Sequence, residues 1–405
     1  VKINIKYVFV IKLFIKLIIC KSIVLKMIIG IPKELTQDET RSAITAGTVK
    51  SYTKFGFKVI VETGAGALSH ISDDELKEAG AEIVSSANDI YEKSNIIVKV
   101  NSPSDQEIDS MKEGSLIVSF MQTTKEIETI KKLQSKKINA ISMHLIPRTT
   151  LAQKMDALSS QSNIAGYKAV LMGACHIEKY MPLLMTAAGT ISPAKVLVIG
   201  AGVAGLSAIA TAKRLGAQVE SSDVRPEVKE QVESLGAKFL EVESDSDDGV
   251  GEGGYAKETS DEYKKKQAEL LEQRVAASDI VVTTALIPGR PAPILISDDM
   301  VKSMNPGSVI MDLAAENGGN CSLTKPDEII DIDGVMIDGT INLAGTMSVH
   351  ASQLYSKNVS AFILHGYNQD KKEFNLEDEI VSGSMFTHNR EIVNDRTKNV
   401  IEGSN

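Results

Sequence analysis

Short apolar runs alternate with longer stretches of helical pattern along most of the chain. The apolar runs predict strands at Met27–Ile31, Lys58–Val61, Ile96–Val100, Leu116–Phe120 and Ile138–Met143. Between them, the polar run Lys125–Lys137 and the capping-box spacing of Ser72 and Glu75 predict helices. Strands that alternate with helices in this way predict a mostly parallel sheet with helices on both faces.

A second unit of the same kind begins near Lys195, and a long helical pattern at Leu151–Tyr180 separates the two units. A further helical pattern around His350–Leu364 would carry the chain back to the first domain. We therefore predict an α/β fold with two Rossmann-like domains with parallel sheets, joined by long interdomain helices. The predicted division is an N-terminal, flavodoxin-like domain of residues 27–155 plus 350–405, and an inserted dinucleotide-binding domain of residues 156–349.

The first 26 residues differ from the rest, because they carry six lysines, no acidic residue and many Ile, Val, Leu and Phe. Lysines at positions 6, 12, 16 and 21 interrupt every window that could span a bilayer, and two of them break the apolar stretch that a signal peptide needs. Their β-branched residues disfavour an amphipathic surface helix. We interpret residues 1–26 as a non-native or upstream-translated leader and expect the protein to start at Met27.

The composition is that of a globular protein, with 43% hydrophobic and 24% charged residues. The net charge is −9, and it is −15 for residues 27–405, so we expect no nucleic-acid partner. Cys20, Cys175 and Cys321 are more than a hundred residues apart, which fits neither a disulfide framework nor zinc-ligand spacing and favours a reducing cytosol. The six histidines are equally dispersed, so we expect no metal site.

An apolar strand predicted at Lys195–Ile199 runs into Gly200-Ala-Gly202-Val-Ala-Gly205, a GxGxxG sequence that precedes a helical pattern. The first glycine permits a tight turn, the second lets backbone N–H groups approach a pyrophosphate, and the third lets helix and strand pack closely. Asp223 follows the next predicted strand, where a carboxylate accepts hydrogen bonds from the adenosine ribose and disfavours a 2′-phosphate. The pattern predicts a dinucleotide site that prefers NAD(H), although the nearby Arg225 leaves NADP(H) open.

The segment that follows Arg148 predicts a helix face that lines a cleft between the two domains. At 100° per residue, one side of this helix holds Gln153, Asp156, Ser160, Asn163 and Tyr167, with Ser159 at its edge, and the other holds Leu151, Met155, Leu158 and Ala165. An ordinary solvated helix face is the alternative. The amides, hydroxyls and single carboxylate favour hydrogen bonding to a carboxamide and a ribose, because solvated helices usually mix lysine and glutamate.

Two further features have open interpretations. Residues 241–266 contain six acids before Gly253 and a glycine-rich run around Tyr255, which is typical either of a closing lid or of a solvated acidic insertion. His144 is the one histidine that we expect near the cleft, whereas His176 is more typical of a core or surface position. The sequence has no nucleophile elbow, no Walker-type loop and no obvious general acid–base pair.

Several strings together resemble the family of NAD(H)-binding components of proton-translocating NAD(P)+ transhydrogenase. The most specific is Arg148…Ala152-Gln153-Lys-Met-Asp156-Ala-Leu-Ser159-Ser-Gln-Ser-Asn163-Ile-Ala-Gly166-Tyr167. The others are Ser222–Arg225, Gly253–Lys257, Thr283–Gly289 and Asp312–Asn320, and the resemblance runs from Met27 to about Asn394. The family is related to alanine dehydrogenase, and Arg41 and Lys99 resemble the substrate groups of that enzyme.

The resemblance implies roles for particular residues. The nicotinamide end would be held by Arg148, Gln153, Asp156 and Ser159, with Gln153 reaching towards the partner nucleotide. The adenosine and pyrophosphate would be held by Val203, Asp223, Val224 and Arg225, beside Gly200, Gly202 and Gly205 of the glycine loop. The site would be completed by Gly254, Tyr255, Gln267 and Leu286. The chain departs from the family pattern at Leu151, where relatives usually carry arginine.

The resemblance further implies direct hydride transfer between NADH on this chain and NADP+ held on a partner subunit. It implies a Re/Si-specific enzyme, a homodimer, and proton translocation through membrane-spanning subunits that hold the chain at the cytoplasmic face of the inner membrane. The alternative is a free-standing, NAD-dependent amino-acid dehydrogenase of the alanine type. That enzyme needs a base for the released proton, and this chain has Gln122 where alanine dehydrogenase has a catalytic histidine, which favours the transhydrogenase.

Overall fold

The computed structural model describes residues 26–241, 261–287 and 290–403, so most of the predicted leader, Gly254 and Tyr255 lie outside the described residues. The strands are β1 (Ile28–Ile31), β2 (Lys58–Glu62), β3 (Glu82–Val84), β4 (Ile96–Val98), β5 (Leu116–Ser119), β6 (Asn139–Ser142), β7 (Leu184–Thr186), β8 (Gly189–Ile191), β9 (Lys195–Ile199), β10 (Gln218–Ser222), β11 (Lys238–Phe239), β12 (Ile280–Thr283), β13 (Val309–Asp312), β14 (Ile329–Ile332), β15 (Val335–Asp338), β16 (Tyr367–Asn368), β17 (Glu373–Phe374), β18 (Met385–His388) and β19 (Glu391–Ile392).

The helices come between these strands. They are α1 (Ala46–Phe55), α2 (Asp73–Glu78), α3 (Ala87–Lys93), α4 (Asp105–Ser110), α5 (Ile127–Ser135), α6 (Ala157–His176), α7 (Val203–Arg214), α8 (Lys229–Ser234), α9 (Asp261–Ala276), α10 (Asp298–Ser303), α11 (Ser348–Gly366), α12 (Glu379–Ser384) and α13 (Asp395–Gly403). Single 3₁₀ turns lie at Ala67–Ser69, Gln153–Met155, Pro226–Val228, Ala315–Asn317 and Gly345–Met347.

Two large sheets organise the chain into the predicted α/β fold. The first sheet has the strand order β19-β18-β6-β5-β4-β1-β2-β3, and the second has the order β11-β10-β9-β12-β13-β15-β14. Neighbouring strands are parallel except where β18 meets β6, β19 meets β18 and β14 meets β15. The central strands β4, β5, β12 and β13 are buried along their whole length, as parallel strands covered on both faces should be.

The first sheet takes strands from both ends of the described chain. The helix predicted around His350–Leu364 is confirmed as α11, and its Tyr355, Val359 and Phe362 pack into the core of the first sheet. Beyond α11 the chain adds β18 beside β6. The sequence pattern did not predict β18, because a short strand becomes recognisable only through its pairing partner.

The prediction of one helix over Leu151–Tyr180 is wrong in its extent. Residues Gln153–Met155 form a separate 3₁₀ turn, and α6 begins only at Ala157. Asp156 interrupts the two with φ −72° and ψ 86° and caps α6 by accepting a hydrogen bond from the Ser159 backbone N–H. The break has a packing reason, since Ala152 and Met155 are both buried in the core of the first sheet.

The helices α6 and α7 approach each other unusually closely. A Cβ atom on Gly166 would lie 2.0 Å from the carbonyl oxygen of Ala204, so no larger residue fits there without a shift of the backbone. The Ser207 hydroxyl also donates to the carbonyl of Asn163 across this contact, at 2.7 Å. This packing fixes α6 against the first turns of the helix that follows the glycine loop.

Candidate functional site

The carboxyl ends of the two parallel sheets face each other across a cleft of about 560 Å³. Segments that follow β1, β4, β5 and β6 line one side of it, and segments that follow β12, β13 and β15 line the other. Ligands of doubly wound folds bind outside the carboxyl ends of the strands. The lining includes Glu39, Arg41, Gln122, His144, Gln161 and Leu286.

The glycine loop has the geometry that a pyrophosphate site requires. Gly200 has φ +99°, and a Cβ on it would lie 2.6 Å from Thr284 Oγ1. A Cβ on Gly205 would lie 1.8 Å from the carbonyl oxygen of Gly200, whereas a Cβ on Gly202 would meet nothing within 4 Å. No side chain caps α7 at Gly202, so the N–H groups of its first turn are available to a phosphate.

Asp223 follows β10 and closes this loop. Its Oδ2 accepts from the Ala201 backbone N–H at 2.6 Å and from Arg225 Nη2 at 2.9 Å, and its Oδ1 accepts from Arg225 Nε at 3.0 Å. Burial raises the pKa of Asp223, but the hydrogen bonds from Arg225 and Ala201 outweigh it and hold the pKa below its usual value. Val203 and Val224, which the resemblance places at the adenosine, are both exposed beside the loop.

The structure brings Asp156 and Ser159 together and leaves Arg148 and Gln153 exposed. The Ser159 hydroxyl donates to Asp156 Oδ2 at 2.6 Å, and the Ser159 backbone N–H donates to Asp156 Oδ1 at 2.9 Å. Arg148 lies in the irregular segment after β6, and Gln153 lies on the 3₁₀ turn before α6. The segment therefore presents an oriented carboxylate and hydroxyl beside two exposed polar side chains.

The predicted orientation of the polar helix face is wrong for three of its residues. The Ser160 hydroxyl donates to Asn358 Oδ1 of α11, and Asn163 and Tyr167 line a groove between α6, α7 and α11 on another side of the helix. The side of α6 that lines the cleft carries Leu158, Gln161, Ser162 and Ala165. A count of 100° per residue failed because the helix starts six residues later than predicted and is covered by neighbours on several sides.

Two buried ion pairs lie at the first-sheet side of the cleft. Arg41 binds Glu39 through Nη2–Oε2 at 2.6 Å and Nε–Oε1 at 2.8 Å, and its Nη1 donates to Gln161 Oε1 at 3.1 Å. Lys99 Nζ lies 2.6 Å from Glu107 Oε1. A substrate carboxylate would therefore compete with a carboxylate of the chain for each cation. The sequence analysis missed Glu39, Glu107 and Gln161, because only the fold brings them to the cations.

His144 lines the cleft, as predicted, and its chemistry follows from its burial. Its ring packs on Phe120 with 4.8 Å between the centroids. Burial lowers the pKa of His144 to about 4, and the charge of the nearby Arg41 contributes in the same direction. The imidazole is therefore neutral at pH 7, with its Nδ1 buried and unpartnered among the described residues.

The remaining predicted residues fall in different places. Leu286 is 52% exposed and lines the cleft, on a loop that Asn320 holds by hydrogen bonds to both backbone groups of Ala285 at 2.9 Å. Gln267 lies half-buried on α9 and is not among the residues that line the cleft. The hypothesis of a lid at Tyr255 falls outside the described residues.

Metal ligands and spanning helices were both sought in the structure. Among residues 26–241, 261–287 and 290–403, no three His, Cys, Asp or Glu side chains are grouped so that they could hold one metal ion. None of the helices in this described portion of the chain has the length and apolar character needed to cross a bilayer.

Comparison with known proteins identifies the family. The alanine dehydrogenase/PNT N-terminal domain matches residues 30–165, and the alanine dehydrogenase/PNT C-terminal domain matches residues 169–395. The first portion of the NAD(P) transhydrogenase alpha subunit from Rhodospirillum rubrum is 46% identical over 91% of this chain and 98% of its own length.

Solved structures extend the comparison to the fold. The transhydrogenase from Sinorhizobium meliloti superimposes with a TM-score of 0.82 at 43% identity, covering 90% of this chain and 99% of that one. An L-alanine dehydrogenase superimposes with a TM-score of 0.80 at 27% identity, covering 93% and 99%. The fold, the cleft between two carboxyl edges and these matches agree, and the chain belongs to the alanine dehydrogenase/PNT family.

Proposed function

We propose that this chain is the NAD(H)-binding component of a proton-translocating NAD(P) transhydrogenase. It carries NADH and exchanges hydride, with Re/Si specificity, with NADP+ held on a partner subunit. The relatives with 43–46% identity are named transhydrogenases, and the alanine dehydrogenase is more distant at 27%. The chemistry of the cleft supports the same choice independently.

The observation that carries the proposal is the state of the histidine in the cleft. Oxidation of an amino acid releases a proton that a base must accept, whereas hydride transfer between two nicotinamide rings releases none. His144, with a pKa of about 4, is a poor proton acceptor at pH 7, and the amide of Gln122 accepts no proton. A cleft that lacks a suitable histidine fits hydride exchange, in which positioning is the main requirement.

The glycine loop and Asp223 would hold the adenosine end. The uncapped N–H groups after Gly202 would bind the pyrophosphate, and Asp223 would receive the ribose hydroxyls. Arg225 already donates to both oxygens of Asp223, which keeps its guanidinium on the carboxylate and away from a 2′-phosphate. This pairing supports a preference for NAD(H) over NADP(H).

The segment around the start of α6 would hold the nicotinamide end. Bound NADH supplies the hydride, and the residues of this chain supply orientation. Asp156 fixes the Ser159 hydroxyl, so that this pair can hold the carboxamide or ribose in one geometry. Arg148 and Gln153 are exposed beside it, and Gln153 would reach towards the nucleotide of the partner.

The assembly follows from the same proposal. The chain would form a homodimer and would be held at the cytoplasmic face of the inner membrane by membrane-spanning, NADP(H)-binding partner subunits that conduct protons. Residues 27–155 plus 350–405 would form one domain, and residues 156–349 would form the nucleotide-binding domain. The contribution of β18 to the first sheet supports this division.

The test is a hydride-transfer assay with purified components. The chain is mixed with an NADPH-loaded, NADP(H)-binding component from a relative and an NAD+ analogue whose reduced form absorbs away from NADPH. We expect rapid reduction of the analogue that requires both proteins. Formation of NADH from alanine by the chain alone would contradict the proposal and favour an amino-acid dehydrogenase. Binding of both nucleotides without transfer, with a partner shown to associate, would favour an NADH sensor.

A further inference from the structure

Gln153 is held on a short element that has little structure of its own. The turn Gln153–Met155 is a single 3₁₀ turn, whose hydrogen-bond geometry is weaker than that of an α-helix. Ala152 and Met155 anchor it from below in the core of the first sheet. Its orientation relative to Asp156 and Ser159 therefore depends on contacts from elsewhere in the fold.

One buried amide on α11 makes that contact. Asn358 is 7% exposed, and its Nδ2 donates to the carbonyl oxygen of Lys154 at 2.9 Å. Its Oδ1 accepts from the Ser160 hydroxyl at 2.8 Å. Because a backbone carbonyl only accepts, the amide can face Lys154 in one orientation alone.

The two hydrogen bonds join the elements on either side of the Asp156 break. Lys154 belongs to the turn that carries Gln153, and Ser160 belongs to the first turn of α6, next to Ser159. The Ser160 hydroxyl also lies 3.2 Å from the carbonyl oxygen of Asp156. A single side chain thus fixes the distance between Gln153 and the Asp156–Ser159 pair.

We propose that Asn358 is a positioning residue for hydride transfer, because it holds the Gln153 turn in register with Asp156 and Ser159. Asn358 does not line the cleft, so it acts through these residues and contacts no nucleotide. The inference rests on the proposed transhydrogenase function. Only an amide combines the donor for Lys154 with the acceptor for Ser160, so neither alanine nor aspartate replaces it.

The test compares transfer with binding in three variants of the full chain. Asn358→Ala removes both hydrogen bonds, Asn358→Asp places a carboxylate against the Lys154 carbonyl, and Ser160→Ala removes one bond only. We expect Asn358→Ala to slow transfer by about 10²-fold, the scale of a misplacement of about 1 Å, while the Kd for NADH changes by less than about twofold. Ser160→Ala should show a smaller effect in the same direction.

A matched control separates positioning from stability. Thr387→Val removes a buried hydrogen bond from Thr387 to the carbonyl of Ile138, far from the turn, and should lower the melting temperature without slowing transfer. In a double-mutant cycle, Asn358→Ala in the Gln153→Asn background should add little further loss.

Three results would overturn the inference. The first is unchanged transfer in Asn358→Ala and Ser160→Ala, and the second is an equal loss of transfer and NADH affinity in both. The third is full additivity with Gln153→Asn. An unmutated chain that transfers no hydride would overturn the proposed function as well, so the two failures are distinguishable.

Discussion

The two ends of the proposed nucleotide site are built in different ways. At the adenosine end, the residues from Gly200 to Asp223 form a continuous strand–loop–helix–strand, and their geometry depends on contacts within that unit and with Thr284. At the nicotinamide end, a 3₁₀ turn and the start of α6 are held by the core of the first sheet and by Asn358 of α11.

This difference separates two sources of specificity. The glycine loop is specified by steric exclusion, since added atoms at Gly205 would collide with its own backbone. The nicotinamide end is specified by hydrogen bonds between elements that are distant in the sequence, such as Lys154 and Asn358. Substitutions at the first end should therefore damage folding and binding together, and substitutions at the second should damage transfer selectively.

The largest effect is expected at the glycine loop. Gly205→Ala places a Cβ 1.8 Å from the Gly200 carbonyl, and Gly202→Ala places one in open space. We expect Gly205→Ala to lower the free energy of unfolding by about 3 kcal/mol and to abolish NADH binding. Gly202→Ala should leave the stability unchanged and weaken only NADH binding, as measured by thermal unfolding and NADH fluorescence titration. Equal destabilisation by both would show that steric exclusion is not the determinant.

The next effect sharpens the contrast at the other end. Gln153→Asn keeps the amide but shortens its reach from the exposed 3₁₀ turn. We expect hydride transfer to slow by about 10²-fold while the Kd for NADH changes by less than about twofold. Single-turnover absorbance and NADH titration measure the two quantities. Equal losses in both would make Gln153 a binding residue only.

The pH dependence of stability tests the cleft between the two ends. Burial lowers the pKa of His144 from its ordinary 6.5 to about 4, so the unfolded chain binds the proton more readily between these values. The stability associated with neutral His144 is complete above about pH 6.5 and is lost as the pH falls towards 4. We expect a loss of about 2 kcal/mol between pH 7 and pH 5 from this group.

His144→Gln provides the comparison for that effect, because glutamine does not titrate. Thermal unfolding at pH 7 and pH 5 should show a smaller decrease in stability for the variant than for the unmodified chain. The neighbouring cations Arg41 and Lys125 are common to both proteins, so they do not contribute to the difference. Identical decreases would mean that His144 is protonated without a cost to folding.

The smallest effect is expected for Arg225→Ala. The Arg225 side chain is 46% exposed and pairs with Asp223, and exposed ion pairs contribute little to stability. We expect the Kd for NADH to change by less than about fivefold, since the ribose hydroxyls replace the guanidinium on the carboxylate. Isothermal titration with NADH and NADPH measures this. A large gain in NADPH affinity would contradict the interpretation that Arg225 is held away from a 2′-phosphate.

Several features were determined by the sequence alone because their physical causes are local. The GxGxxG run, the strand before it and Asp223 after it predicted a loop whose close contacts the structure confirms. The apolar runs predicted β1, β2, β4, β5 and β6, because a parallel strand buried on both faces is apolar throughout. The family resemblance extended this to residues such as Arg148, for which local pattern gives no signal.

Other features were decided only by the tertiary structure. The start of α6 depends on the burial of Ala152 and Met155 and on capping by Asp156, so helical periodicity counted from Leu151 assigned Asn163 and Tyr167 to the wrong side. A periodic pattern shows which residues share a face but does not show which neighbour covers that face. The partners of Arg41, Lys99 and Lys154 likewise come from other segments, because buried charges and carbonyls are satisfied by whatever polar group the fold brings to them.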